Sequence, residues 1–413
     1  MISIFLYLLG LFFNLALIYL FFNKKSTMVL LPLGLTFLYY FPVFFDVFFN
    51  TAFFSKGIID EANFFTFFVN LNLLVFSLIF YKACYNEAER IDDLDLNLRK
   101  NFFKFYEGLF VVSFFLLILA VLKSTDGNIF AYSWGSRHLE GGNNIFFLLA
   151  TYLYVASAGV LFLNWKSNNR YKFLILILIG ILFVLLIRSR GYLVPIVLSF
   201  VIYFLVWKRK IFFSSFIILV FVFLFFILQQ IRFLGSLESG NVIDFNVMIN
   251  NIFEQIKYGN SELSLRNVYF SFIRDYDYLE NYFNFGDFHT YLRILFFWDI
   301  FDLGLKPKDF ANTMYIAYYG GNSYVQNPTM HPTLYGTIYA NGMYLSSVLF
   351  SLIVVFLLWL EEISKKKGLI FYWLMIPTFT YCIIFIARGS LNVAVIYLLV
   401  IFVFNSLIYK LIR

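Results

Sequence analysis

The sequence predicts an all-α fold: a polytopic bundle of about 11 transmembrane helices, N-terminus outside and C-terminus inside, with one long outer loop. Three observations carry that reading. The 413 residues are 62% hydrophobic and 13% charged, against about 25% charged for a soluble domain. Apolar runs of membrane-crossing length recur from end to end. Basic residues gather in every second connection between those runs.

The runs fall at residues 2–22, 28–48, 64–81, 109–122, 145–163, 173–187, 192–207, 211–229, 333–360, 369–387 and 391–411. Lipid offers the backbone no hydrogen bonds, so each run must satisfy its own as a helix. Period-2 alternation is absent, which argues against a membrane barrel. The first run lacks a basic leader and an A-x-A site, so it reads as a retained span rather than a signal peptide. Lys24 and Lys25, the 82–104 group, Lys166 with Arg170 and Lys172, the 208–210 triplet, the 365–367 triplet and the tail Lys410 and Arg413 all fall on one side. That side is the cytoplasm. A net charge of +7 held in short loops suits an anionic inner leaflet better than nucleic acid. Cys84 and Cys382 suggest no disulfide framework. The mixed-charge stretch 86–104 reads as a solvated helix and turn.

The connection 230–332 is polar enough to leave the membrane yet rich in Tyr and Phe. Ordered loops of that length are commonly functional. Residues 247–257 and 268–283 read as amphipathic helices that lie on the outer surface as a lid. No repeat and no Pro/Gly/Ser-rich linker divides the chain, so residues 1–413 read as one integral membrane domain containing this loop.

Charge placed against the topology rule has a cost and therefore a use. Arg188-Ser189-Arg190-Gly191 sits in a short outer turn, and Ala387-Arg388-Gly389-Ser390 repeats the pattern. The runs flanking the first turn are about 15–17 residues, or roughly 23–26 Å, short of the roughly 30 Å hydrocarbon core. The turn is therefore expected to be sunk inside the bundle. Guanidinium forks bind phosphate oxygens bidentately, and Gly191 lets backbone approach a ligand. Snorkelling to headgroups is the bland alternative.

Arg232, Arg266, Arg274 and Arg293 add charge on the long loop, with ion pairing to its aspartates as the structural alternative. Asp275-Tyr276-Asp277 matches D-x-D, a weak metal signal, and no metal site is expected. His331 opens His331-Pro332-Thr333-Leu334-Tyr335-Gly336 at the outer end of a run, with Thr337, Asn341 and Gly342 following. A near-neutral imidazole suits general-base work, and helix capping is its structural alternative. Asp46, near the outer end of the second run, reads as a proton or ion path, as the partner of an arginine or as an acid–base group. No Walker loop, dinucleotide loop or nucleophile motif is present, and no cofactor is expected.

Together the Arg-x-Arg-Gly turn, the long late outer loop and the Pro-Thr…Tyr-Gly…Asn-Gly entry resemble the Wzy-type O-antigen repeat-unit polymerases of Gram-negative inner membranes. His331 and Gly342 enclose ten residues, as do Arg293 and Gly304; the first spacing resembles the related O-antigen ligases, although Pro332 stands where a polar residue tends to follow. The resemblance implies a GT-C-like bundle in the bacterial inner membrane. It implies a metal-independent, inverting transfer on the periplasmic face. The donor is a glycan on undecaprenyl diphosphate, and the acceptor is a second lipid-linked repeat unit. A chain-length regulator protein is an expected partner. On this reading Arg188, Arg190, Gly191 and Arg388 hold the diphosphate, and Arg232, Arg266, Arg274, Arg293, Tyr335 and Asn341 contact diphosphate or glycan. His331 is the first-choice base, ahead of Asp46 and Asp275. An O-antigen ligase acting on lipid A core and a flippase of the lipid-linked unit are the rivals. The nearly charge-free mid-span regions argue against transport.

Overall fold

The computed structural model describes residues 2–49, 54–84, 100–125, 127, 145–187, 189–221, 265–280, 288–296, 310–319 and 330–412. Among them every regular element is helical, and nine helices are long and apolar enough to cross a membrane. Two further runs, Gly191–Trp207 and Ile211–Phe221, form shorter apolar helices. The helix expected at 173–187 begins earlier and covers Arg170–Ile187, 18 residues. At 1.5 Å per residue it is roughly 27 Å long, less short of the hydrocarbon thickness than its sequence run.

Two compact units divide the chain: Met1–Ala88 with Asp244–Glu361 and Cys382–Ile396, and Glu89–Ile243 with Glu362–Tyr381 and Tyr397–Arg413. In the first unit Ile2–Asn23 packs along Lys56–Cys84. Their seam is polar in places, because an apolar environment offers no other way to specify helix pairing. Asn70 donates to the Gly10 carbonyl at 3.2 Å and to the Tyr40 hydroxyl at 2.7 Å. Tyr7 donates to the Tyr40 carbonyl at 2.9 Å.

The second span, Thr27–Phe49, is irregular. It opens as a tight 3-10 turn capped by Ser26, and the buried Glu361 carboxylate accepts from Ser26 Oγ at 2.5 Å and from the Thr27 amide at 2.7 Å. A carboxylate at a helix start satisfies free amides and complements the helix dipole. Midway, Thr36–Tyr40 widens into a π-helical turn just ahead of Pro42. Proline lacks an N–H and cannot take its place in the regular ladder. The widened turn aims Tyr39 and Tyr40 into the core, where both are buried.

The expected single helix at 333–360 is two: Thr333–Ala340 and Met343–Lys366. Gly342 has φ +102° and Met343 φ +47°, left-handed conformations that no α-helix continues. Asn341 stabilises the break by donating to the Thr337 carbonyl at 2.7 Å while its Oδ1 accepts from the Thr290 amide at 2.8 Å.

In the second unit Lys100–Ser124 lies along Ile145–Ser157. Gly159 sits so close to Leu374 that a Cβ would come within 2.5 Å of its Cα. Tyr154 stacks on Phe183 at 4.0 Å, and Tyr106 donates to Asn405 Oδ1 at 3.0 Å. These are apolar stacks closed by single polar contacts.

Candidate functional site

The most developed constellation lies in the first unit, where the Arg388-Gly389-Ser390 turn seats on the start of Thr333–Ala340. Thr337 Oγ1 donates to the Gly389 carbonyl at 2.9 Å. Gly389 has φ +100°, and a Cβ there would lie 2.6 Å from the Thr333 carbonyl oxygen. Glycine is required both for the backbone conformation and for the approach. The seating brings Ser390 Oγ to 3.2 Å from His331 Nδ1. Arg388, two residues before Ser390 in the same turn, is half-buried, its guanidinium 5.8 Å from the Phe385 ring. A histidine and an arginine that sequence spacing treats separately thus share one end of one unit.

Chemically the pair is complementary. When Nδ1–H donates to Ser390, the Nε2 lone pair is left for a proton. The guanidinium supplies fixed positive charge and a planar donor fork.

Both alternative bases are engaged elsewhere. Asp46 takes Arg266 in a two-point ion pair, Nε to Oδ2 at 2.5 Å and Nη2 to Oδ1 at 3.1 Å, with the two side chains 1% and 2% exposed. Pairing with an arginine is one of the three expectations for Asp46; the expectation that Arg266 faces glycan meets a side chain buried against a carboxylate. Asp275 accepts two bonds from Arg274, at 2.8 and 2.7 Å, and one from the Tyr318 hydroxyl at 2.9 Å. Hydrogen bonding from Arg274 holds the Asp275 carboxyl below its usual range and raises the arginine in turn, so Asp275 is a weakened proton acceptor.

The helix expected at 268–283 is also two, Leu265–Arg274 and Tyr276–Glu280. The first buries Leu265, Arg266, Tyr269, Phe270, Phe272 and Ile273, packing on Thr333–Ala340, the Lys56–Cys84 helix and the Thr36–Tyr40 turn. It is part of the core of its unit. The reason is its amphipathic period: the apolar face finds helices to cover it rather than a membrane surface.

Tyr335 is fully buried and donates to Asn70 Oδ1 at 3.0 Å, and Asn341 holds the helix break described above; both use their polar groups internally. Arg293 lies in the last turn of His289–Leu295. In the second unit Arg190 opens the 3-10 turn Arg190–Leu193, which includes Gly191. The Tyr192 carbonyl of that turn accepts from the buried Tyr154 hydroxyl at 3.1 Å. Arg188, Arg232, Gly304 and the expected 247–257 helix lie outside the described residues.

Two participants escaped sequence reasoning. Ser390 was visible only as the end of a basic turn. Glu61 lies ahead of the apolar run that begins at residue 64, yet the helix extends back to Lys56 and the Tyr339 hydroxyl donates to the Glu61 carboxylate.

No protein-family profile matches the chain, and no curated protein or solved structure is detectably similar to it.

Proposed function

We propose that the protein is a bacterial inner-membrane glycosyltransferase that joins undecaprenyl-diphosphate-linked oligosaccharide units into a polysaccharide, as O-antigen polymerases do. The observation that carries the reading is the 3.2 Å approach of His331 to Ser390, which sets a candidate base against the turn that also carries Arg388. The alternation of basic loops supports an orientation with the N-terminus outside, the C-terminus inside and this end of the unit facing the periplasm.

In the proposed reaction the acceptor sugar hydroxyl gives its proton to His331 Nε2 as its oxygen bonds to the anomeric carbon of the donor. The bond from that carbon to the diphosphate oxygen breaks, and the electron pair leaves on undecaprenyl diphosphate. Arg388 offsets the charge that builds there; such groups act best when fixed in place before the reaction and screened from water. No step calls for a metal ion. Arg188 and Arg190 enter the proposal through their position against the topology rule.

The test is deletion of the gene in its host, followed by the cellular lipopolysaccharide profile. The proposal predicts core capped with a single repeat unit, restored to a long ladder by the wild-type gene and not by His331→Ala or Arg388→Ala at equal protein level. Bare core would point to a ligase or flippase, and an unchanged ladder would end the reading.

A further inference from the structure

Glu61 is an exposed carboxylate on Lys56–Cys84, and the proposed reaction does not use it. Around it are phenols from four other helices. Tyr339 donates its hydroxyl to Glu61. The Tyr339 ring is met edge-on by Phe65 at 5.1 Å, by Tyr269 at 6.0 Å and by Tyr276 at 6.4 Å. Tyr344, 46% exposed, approaches the Phe65 ring at 5.8 Å. The Tyr269 hydroxyl is the unusual member. Tyr269 is wholly buried, and its oxygen has no hydrogen-bond partner among the described residues. Burial first, and then the neighbouring Tyr39, Tyr339 and Glu61, hold that phenol well above its ordinary range, so it stays a neutral O–H close to the carboxylate.

A buried hydroxyl left unsatisfied is uncommon and calls for a partner. Carboxylate oxygens accept from vicinal hydroxyls, phenols both donate and accept, and ring faces and edges cover the apolar C–H faces of a ring-shaped polyol. Tyr339 closes the helix that His331 leads into, so this cluster lies two turns along from the candidate base.

From this juxtaposition we propose that Glu61, Tyr339, Tyr269 and Tyr344 form a carbohydrate subsite, which holds a sugar of the acceptor glycan while its terminal hydroxyl reaches His331. The position of the acceptor rests on the glycosyl-transfer reading; the affinity for sugar does not.

The experiment is saturation-transfer NMR on the full-length protein in detergent micelles, using methyl glycosides of common hexoses and N-acetylhexosamines as probes. The wild type is expected to transfer saturation to at least one of them. Glu61→Gln and Tyr269→Phe are each expected to weaken that binding at least tenfold, while Arg388→Ala leaves it unchanged. Tyr269→Phe is the decisive variant. It removes one oxygen that bonds to nothing among the described residues, so a purely structural role predicts equal or greater thermal stability and unaltered binding. Absence of transfer to every probe, or equal binding by both variants, overturns the subsite. Polymer made in cells by Glu61→Gln at the wild-type rate overturns its part in catalysis and leaves the polymerase reading intact. Sugar binding that depends on Glu61, in a protein whose deletion leaves the polysaccharide unchanged, would retain the subsite and end the polymerase reading.

Discussion

Arg266 grips Asp46 with two hydrogen bonds across 220 residues of chain, both side chains sealed from solvent. Removing one partner leaves an uncompensated buried charge, which costs about 3–5 kcal/mol, whereas an apolar pair of similar volume is close to neutral. Arg266→Ala is therefore expected to lower the midpoint of thermal unfolding in detergent sharply, and Asp46→Leu with Arg266→Met to recover most of the loss. Equal midpoints for Arg266→Ala and the wild type would show that the pair holds nothing in place.

Gly389→Ala puts a methyl group 2.6 Å from the Thr333 carbonyl oxygen in a left-handed backbone. The strain is of order 1–3 kcal/mol, and its relief must lift the Arg388 turn off the Thr333–Ala340 helix. Long-chain polysaccharide is expected to fall with protein level maintained. Ser390→Ala, which removes only the contact to His331, is expected to act more mildly. Chain-length profiles of the two variants at matched expression check the order.

On the proposed function, His331→Ala is expected to slow glycosyl transfer by about 10²–10⁴-fold, the usual contribution of a general base. Arg388→Ala is expected to cost about 10²–10³-fold, in line with loss of one charge-stabilising donor. Both are read from initial rates with lipid-linked oligosaccharide extracted from the deletion strain.

The Asp275 carboxyl is held below its usual range by Arg274. A depressed carboxyl contributes stability that is present above its unfolded value of about 3.9 and is lost as pH falls through the lower folded value. The junction between Leu265–Arg274 and Tyr276–Glu280 should therefore stay closed at neutral pH and loosen only in strong acid. Hydrogen exchange at that junction across an acid titration checks this, with Asp275→Asn expected to exchange faster at pH 7 and to lose the acid step. Because this carboxyl is committed to Arg274, Asp275→Asn is also expected to leave the polymer ladder nearly intact.

Gly159→Ala places a methyl group against the Leu374 backbone, 2.6 Å from its carbonyl oxygen. Neither backbone can yield without moving a helix, and overpacking of this kind costs about 1–3 kcal/mol. A lower unfolding midpoint is expected, with Gly57→Ala, which meets nothing within 4 Å, as the silent control.

The apolar runs located the long helices, though not their ends, because a span must be apolar along its whole length to lie in lipid. They could not reveal the break at Asn341-Gly342. A single glycine is tolerated in a helix, and the Asn341 contact to Thr290 that helps to end this one comes from a distant segment. The arginines were visible as charge in the wrong place, but their partners were not: nothing in residues 41–49 indicates that Asp46 meets Arg266 rather than Arg274. Glu61 was overlooked for a related reason. Hydropathy finds where a run becomes apolar, whereas the Lys56–Cys84 helix starts where its backbone bonding starts, two turns earlier.

The distance along the chain between Asp46 and Arg266 also governs biogenesis. At roughly 5–20 residues per second, synthesis delivers the arginine about 10–45 seconds after the aspartate. Throughout that interval the second span carries an acid with its intended partner not yet made, a burden of up to about 2.5–3.5 kcal/mol if it were drawn to the bilayer centre. It stands three residues from the end of Phe41–Phe49, and an acid toward the end of a span costs less than one at its centre. The ion pair is thus a late event of assembly, and a nascent chain released before Arg266 bears an unanswered charge within its membrane helices, the kind of defect that quality-control proteases can read.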